Sequence, residues 1–391
     1  MLEKQLYDQL MSKLRHGGVL VRFWDGDKRK YGPDEPYVTV TFHSPKALRA
    51  MARSLTLGFG EGYSKGLIDV KGPLTSLNRL ISENRAVFKP LPFSKALTPL
   101  HRNVKSRQKN YIQHHYDIGN DFYKLWLDIS MMYSCAYYKK LSDPLEKAQQ
   151  QKVEHLLKKL QLQPGQRLLD IGSGWGTLLI TAAKKYDITG LGITLSEEQL
   201  KHATEAAKKA GVSKKVSFEL CNYQDLATRG ESFDRIISVG MFEHVGRGNH
   251  EYYFKAVDAM LREGGLTVLH TITQEFERPI DPWIDKYIFP GGYLPTNAEI
   301  THLAPRHGFR LLDYENLRLH YAMTLEEWLR RYESHERTVK KMFDEQFYRM
   351  WRLWLASSAA GFRYGDLGLG QFVFSKGINN NLPLTREQLY R

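Results

Sequence analysis

Ten residues, Arg167–Gly176 (RLLDIGSGWG), constrain this chain more than any others. Leu168 and Leu169 end a short apolar run. Asp170 follows, then glycine at positions 172, 174 and 176, and from Thr177 the pattern TLLITAAKK is helical. The spacing predicts a buried strand, a tight glycine turn and a helix. Three residues without a Cβ let bare backbone approach a ligand closely. The same spacing excludes two ligand types. GxGxG is not the GxGxxG dinucleotide fingerprint, and no Lys-Ser/Thr pair follows as in a phosphate-cradling loop. Asp170 and Trp175 inside the turn favour a nucleoside ligand over a bland strand-to-helix connection.

The length of 391 residues predicts two domains. No apolar run reaches the ~18 residues of a membrane span, and MLEKQLYDQLMSKLRHGG lacks the apolar core of a secretory signal. Two cysteines, Cys135 and Cys221, make a disulfide framework implausible and imply a reducing cytoplasm. The net charge of +13 is uneven. Residues 1–110 hold 20 Lys and Arg against 9 Asp and Glu, leaving only +2 for the remaining 281 residues. A basic first quarter points to a polyanionic partner, either nucleic acid or an anionic lipid surface, or else to a solvated face.

Along the chain, Leu2, Leu6, Leu10 and Leu14 mark an amphipathic helix over residues 1–16. Strands are expected at 19–24 and 37–42, joined by a polar loop, followed by a helix near 46–54 behind Ser44-Pro45. Residues 57–72 are glycine-rich, and a short helix follows near 74–84. Together these form a small α+β domain ending at about residue 105, with a proline-rich, basic linker over 85–110. From residue 145 strands and helices alternate. A helix over 145–160, capped by Asp143-Pro144, precedes strands at 167–171, 188–194, 215–221, 233–239 and 266–273. Ser196–Gln199 reads as a capping box. Such alternation predicts a parallel sheet covered on both faces, with ligands at the carboxyl ends of its strands. Residues 274–322, containing DPWIDKYIFPGGYLP, read as a long apolar lid. Helices at 325–340 and 342–360 and a last strand at FVFSK close the chain.

The glycine turn resembles motif I of the S-adenosylmethionine (SAM)-dependent methyltransferases. YDIGNDFY, MMYSCAYY, LDIGSGWG, GITLSEEQ, SVGMFEHVG, LHTIT and DPWIDKYIFPGGYLP, in this order, resemble the cyclopropane fatty acid synthases. The resemblance implies a class I methyltransferase fold, α/β and Rossmann-like with a mostly parallel seven-stranded sheet, over residues 106–391. It implies methylene transfer from SAM to a cis double bond in a phospholipid acyl chain. It implies no nucleic-acid substrate, no metal ion, a homodimer, and a cytoplasmic enzyme lying peripherally on the inner face of the membrane. The basic first domain would help place it there.

An alkene is a poor nucleophile, and methyl transfer from a sulfonium to it leaves a carbocation. Such a site must stabilise a cation, exclude water and present a base. In the family that base is a bound bicarbonate. By resemblance it would be held by Cys135, Glu243, His270, Tyr321 and the backbone N–H of Ile272. Read unaided, Cys135 and His270 would be buried core and Glu243 a carboxylate at a strand end. Glu243 beside an anion is expected to share a proton with it or with His270, because two adjacent anions raise a pKa. For SAM the resemblance implies Gly172, Gly174 and Trp175 at the turn, Asp170 beneath it, and Tyr133 and Ser134 near the methionine end. Thr194 and Gln199 would contact the ribose, and Asn222, Tyr223 and Gln224 would flank the adenine. Ser173 stands where GCGWG relatives have Cys, with its backbone role unchanged. Three rivals remain: a methyl-branching enzyme, a lipid binder with a vestigial fold, and a nucleic-acid methyltransferase.

Overall fold

The computed structural model describes residues 2–88 and 118–390. The proline-rich linker and its basic run at 101–110 therefore lie almost wholly outside the described residues. The chain divides into two compact units, and the division is not the expected cut near residue 105. Residues 280–290 and 322–366 join the N-terminal region in the first unit, and the second takes 118–279, 291–321 and 367–390.

In the first unit, strands β1 (Val19–Arg22), β2 (Lys28–Tyr31), β3 (Val38–Phe42) and β4 (Ile68–Lys71) form one sheet in the order β2-β1-β3-β4. β1 and β3 are parallel, and the outer pairs are antiparallel. β2 lies inside the stretch expected to be a polar loop. As an edge strand it needs only Tyr31 buried, so KRKY carries no apolar alternation. The glycine-rich stretch, for which the sequence pattern predicts no element, begins with a helix, Leu55–Ser64. Its glycines allow close packing. A Cβ on Gly58 would fall 2.4 Å from the Ala50 backbone, and one on Gly60 would fall 2.3 Å from the Trp283 ring. Helix Pro282–Tyr287 is held against this helix by Glu61, which accepts from Lys286 Nζ at 2.7 Å and Tyr287 Oη at 2.8 Å. Helix Glu345–Arg363 completes the unit. Arg349 donates to the carbonyls of Tyr63 and Ile68, both at 2.6 Å.

The second unit is built on a seven-stranded sheet: β5 (Arg167–Ile171), β6 (Thr189–Thr194), β7 (Val216–Leu220), β8 (Phe233–Val239), β9 (Leu261–Gln274), β10 (Phe309–Asn316) and β11 (Leu367–Lys376), ordered β10-β11-β9-β8-β5-β6-β7. The run from β9 to β7 is parallel, and β11 is antiparallel to both neighbours. Adjacent residues face opposite layers. Leu168 and Val373 join one core, while Leu169, Ile171, Phe372 and Phe374 join the other. Helix Leu145–Leu160 buries Val153, Leu156, Leu157 and Leu160 in the first layer, worth about 2 kcal/mol for each large side chain removed from water. Asp143 does not cap it. Asp143 instead takes Lys140 N and Gln151 Nε2, each at 3.0 Å, and Pro144 is the N-cap.

The expected lid over 274–322 is not one continuous loop. It contains helix Pro282–Tyr287 of the first unit, helix Asn297–Leu303, a short 3-10 turn and the edge strand β10. The following helices are Arg318–Ser334, Glu336–Met342 and Glu345–Arg363, offset from the boundaries expected. No described helix is long and apolar enough to cross a membrane.

Candidate functional site

A cavity opens at the carboxyl ends of β5, β6 and β8, where the sheet topology puts ligands. Tyr133, Ser134, Asp170, Gly172, Gly174, Trp175, Thr194, Gln199, Asn222 and Tyr223 all line it. Gln224 does not; its backbone N–H donates to Asn222 Oδ1 at 2.9 Å in a short helix cap. The glycines differ in purpose. Gly172 has φ +82, and a Cβ there would strike Met241 at 2.9 Å. Gly174 has φ +54, and its Cβ would meet nothing within 4 Å, so it opens space for a ligand. Gly172 N and Ser173 N both donate to Ile193 O, at 2.9 and 3.0 Å, fixing the turn to β6.

Around Thr194 and Gln199, the residues expected at the ribose, the cavity wall is set by a short chain of bonds. Thr194 Oγ1 accepts from Ser196 N at 3.2 Å and donates to Gln199 Oε1 at 2.7 Å. That orients the Gln199 amide with Nε2 as its remaining donor. The expected capping box is therefore half present. Ser196 Oγ accepts from Gln199 N at 3.3 Å, but the Gln199 side chain turns to Thr194. Trp175 Nε1 donates to Asn120 Oδ1 at 2.7 Å, and its ring meets Tyr123 edge-on, 5.6 Å between centroids.

Tyr133 and Ser134, expected near the methionine end, rest on the helix at 145–160. Gln149 Nε2 donates to Ser134 O at 3.0 Å and Met132 O at 3.3 Å. Lys152 Nζ donates to Ser134 Oγ at 2.8 Å, and no other hydrogen-bond partner stands within reach among the described residues. Lys152 was missed in the sequence. It is buried and lines the cavity. Burial pulls its pKa down to about 8, against the opposing charges of Asp128, Cys135 and Asp170. Burial likewise pushes Asp170 up to about 7, with Lys152 acting the other way. Lys152, His155 and Lys159 share one face of the helix, three and seven residues apart, and that spacing was the available signal. Met131, also in the cavity wall, has φ +56, a conformation costly for a residue with a Cβ.

Of the five residues expected to hold an anion, the structure bonds two directly. Glu243 sits in a 3-10 turn just after β8, and its Oε1 accepts the Ile272 N–H at 2.6 Å. That N–H, expected to face the anion, is thus already engaged. Burial pushes the Glu243 carboxyl up to about 7, and Oε2 has no hydrogen-bond partner among the described residues. His270 lies two residues before Ile272 on β9. Its Nδ1 accepts from Gln371 Nε2 at 3.1 Å, and Nε2 has no partner among the described residues. Burial, then Lys152 and Lys159, hold His270 well below its ordinary pKa, so it is neutral. Glu243 and His270 show no hydrogen bond to each other, so of the two expected proton-sharing partners of Glu243 the structure shows no direct bond to His270. Cys135 is fully buried and its thiol donates to Ala136 O at 3.2 Å. Tyr321 occupies the first turn of helix Arg318–Ser334, its backbone N donating to Leu317 O at 3.1 Å. None of these five lines the cavity of the glycine turn itself.

A seven-stranded sheet in this order, with a GxGxG turn leaving the interior strand β5 into such a cavity, defines a class I SAM-dependent methyltransferase. The chain belongs to the mycolic acid cyclopropane synthetase family, whose model matches residues 103–372, while residues 6–90 match a domain of unknown function. It is 37% identical to a probable fatty acid methyltransferase of Pseudomonas putida, over 96% of this chain and 97% of that one. It is 42% identical to the cyclopropane-fatty-acyl-phospholipid synthase of Escherichia coli, over 73% of each. Among solved structures it is similar to a mycolic acid cyclopropane synthase complexed with SAH and CTAB, at 32% identity and TM-score 0.65, over 68% of this chain and 98% of that one. The protein is accordingly a SAM-dependent methyltransferase.

Proposed function

We propose that this enzyme transfers a methylene from SAM to the cis double bond of an unsaturated acyl chain in a membrane phospholipid, giving a cyclopropane fatty acid. The observation that carries the reading is a pair of buried polar atoms without protein partners, Glu243 Oε2 and His270 Nε2. Buried polar atoms are normally bonded, and an unpaired one calls for a ligand. When bound, SAM supplies an electrophilic methyl on a positively charged sulfur, and bicarbonate supplies the base for the proton lost at ring closure.

The residues fit both groups. Gly172 and Gly174 admit the SAM backbone, and Gln199 Nε2 offers a donor to the ribose. The Lys152 ammonium, bonded only to Ser134 Oγ, offers its other N–H groups to the methionine carboxylate. Asp170, raised to about 7 and so near half-ionised at pH 7, offsets positive charge on the donor in its carboxylate form. Neutral His270 donates through Nε2, and Glu243, near half-protonated at pH 7, meets an anion without a full charge repulsion. Met132, Ile193, Val239 and Met241 give the cavity an apolar side that excludes water from a carbocation. Cys135 and Tyr321 complete the anion set on the strength of the family resemblance, and the names of the two relatives support an acyl substrate.

The basic residues of 1–110 would raise the enzyme's concentration at anionic lipid by about 1 kcal/mol per well-placed Lys or Arg. The enzyme then works peripherally on the cytoplasmic face, and a homodimer would present two such regions to one surface. To test the reaction, the protein is incubated with SAM and vesicles of unsaturated phospholipid, and the fatty acids are examined by NMR. Upfield cyclopropane protons are expected. A methyl-branched chain or untouched alkene overturns the reading. Vesicle binding should weaken with salt, and salt-indifferent binding would remove the membrane role.

A further inference from the structure

Behind His270 runs a directional chain of buried hydrogen bonds. Gln371 is fully buried in β11, directly opposite His270 of β9 in the antiparallel register. Its Oε1 accepts from Lys159 Nζ at 2.7 Å, and its Nε2 lies 3.1 Å from His270 Nδ1. An ammonium only donates, so the amide oxygen must face Lys159 and the amide NH₂ must face the histidine. Nδ1 is then the acceptor, and the ring proton of neutral His270 must sit on Nε2. Lys159, 2% exposed, is itself held by Glu315 Oε2 at 2.5 Å, which also accepts from His155 Nε2 at 2.6 Å. Burial opposes ionisation of Glu315, but the bonds and charges of His155 and Lys159 outweigh it and keep the carboxyl at about 2. The cation is therefore anchored, and nothing in the chain can reverse direction without leaving a buried donor facing a donor.

We propose that Glu315, Lys159 and Gln371 are positioning residues that fix His270 in the Nε2–H tautomer, so that it presents a hydrogen-bond donor, never an acceptor, to an oxyanion. This rests on the anion-site reading above. It explains why a glutamine and a lysine occupy the interior between a helix and two strands, where apolar residues would pack more cheaply.

The tautomer can be read directly. In full-length protein carrying ¹⁵N-histidine, long-range ¹H–¹⁵N correlation distinguishes protonated from bare ring nitrogens, and His270→Gln assigns the signal by its loss. Wild-type protein should show Nε2 protonated and Nδ1 bare. Gln371→Glu places an acceptor at Nδ1 and should move the proton there. With SAM and unsaturated phospholipid vesicles, kcat should fall by about 10- to 100-fold, the usual scale for a partner that orients an active-site histidine, with the Kd for SAM unchanged. An Nδ1–H tautomer in wild-type protein overturns the proposal, and that measurement needs no substitution to fold. Retention of the Nε2–H form or of full kcat in Gln371→Glu also overturns it. The tautomer is read without substrate, so its outcome is separate from whether a cyclopropane is made. Product formed by an Nδ1–H enzyme would sink this inference alone.

Discussion

Two walls of the catalytic unit handle polar groups in opposite ways. Along the cavity wall beside the glycine turn, Ser196, Thr194 and Gln199 bond one another, and Asn222 caps the helix that follows it. At the Glu243–His270 corner, burial is as deep but one carboxylate oxygen and one ring nitrogen stand without protein partners. The first wall is shaped by the chain's own bonding and holds its form with or without a ligand. The second is complete only when something else supplies the missing bonds. Binding and stability are thus aligned on one wall and opposed on the other.

The largest test of that contrast is Glu243→Gln. Activity should drop about 10²- to 10³-fold, the range for losing one preorganised hydrogen-bonding group that holds a charged species in a buried site, measured as product formed. Stability should move the other way. The folded pKa of about 7 stands above the ordinary 4.5, so between these values the folded state holds the extra proton and stability falls as pH rises. The penalty is absent below pH 4.5 and full above 7, where it is on the order of 3 kcal/mol. The variant should therefore gain Tm at pH 8 and match wild type at pH 4. An active variant, or one without the pH-dependent gain, breaks the comparison.

Lys152→Met removes the one buried cation lining the cavity. Hydrogen bonds to charged groups contribute about 1.5–3 kcal/mol, so calorimetry should show SAM binding weakened by roughly 10- to 100-fold. Gly174→Ala comes next. It should cost about 1–2 kcal/mol of stability for an alanine held at positive φ, and the added methyl should weaken SAM binding roughly tenfold. Ser173→Cys should do least. Ser173 Oγ makes only a long 3.4 Å bond to Ile193 O, so thermal unfolding should shift by no more than about 0.5 kcal/mol.

Legibility in the sequence follows the same division. β5, β8 and the helix at 145–160 have the boundaries read from their apolar runs, because β5 and β8 are covered by a core on each face of the sheet and the helix buries one face in the first of those cores. β10 escaped notice. It is an edge strand with Arg310, Leu311 and Leu312 exposed in succession, so its pattern does not alternate. The helix at 55–64 was hidden because its glycines serve packing against Ala50, Trp283 and Ile68, a need no local propensity records. The cofactor wall was readable because GxGxG carries its own spacing. The corner was legible only through the resemblance, which named Glu243 and His270 but not Gln371, Lys152 or Lys159. Glu243, His270 and Gln371 come from the turn after β8, from β9 and from β11, and Lys152 and Lys159 sit among other lysines of one helix.

The first unit borrows the helix Glu345–Arg363, whose Arg349 seals the carbonyls of Tyr63 and Ile68. During synthesis those carbonyls stay uncovered until the sealing arginine, about 280 residues downstream of them, has been made. A nascent chain must therefore keep that segment provisional while most of the methyltransferase sheet is synthesised, and a fragment ending near residue 105 would be born without its own keystone.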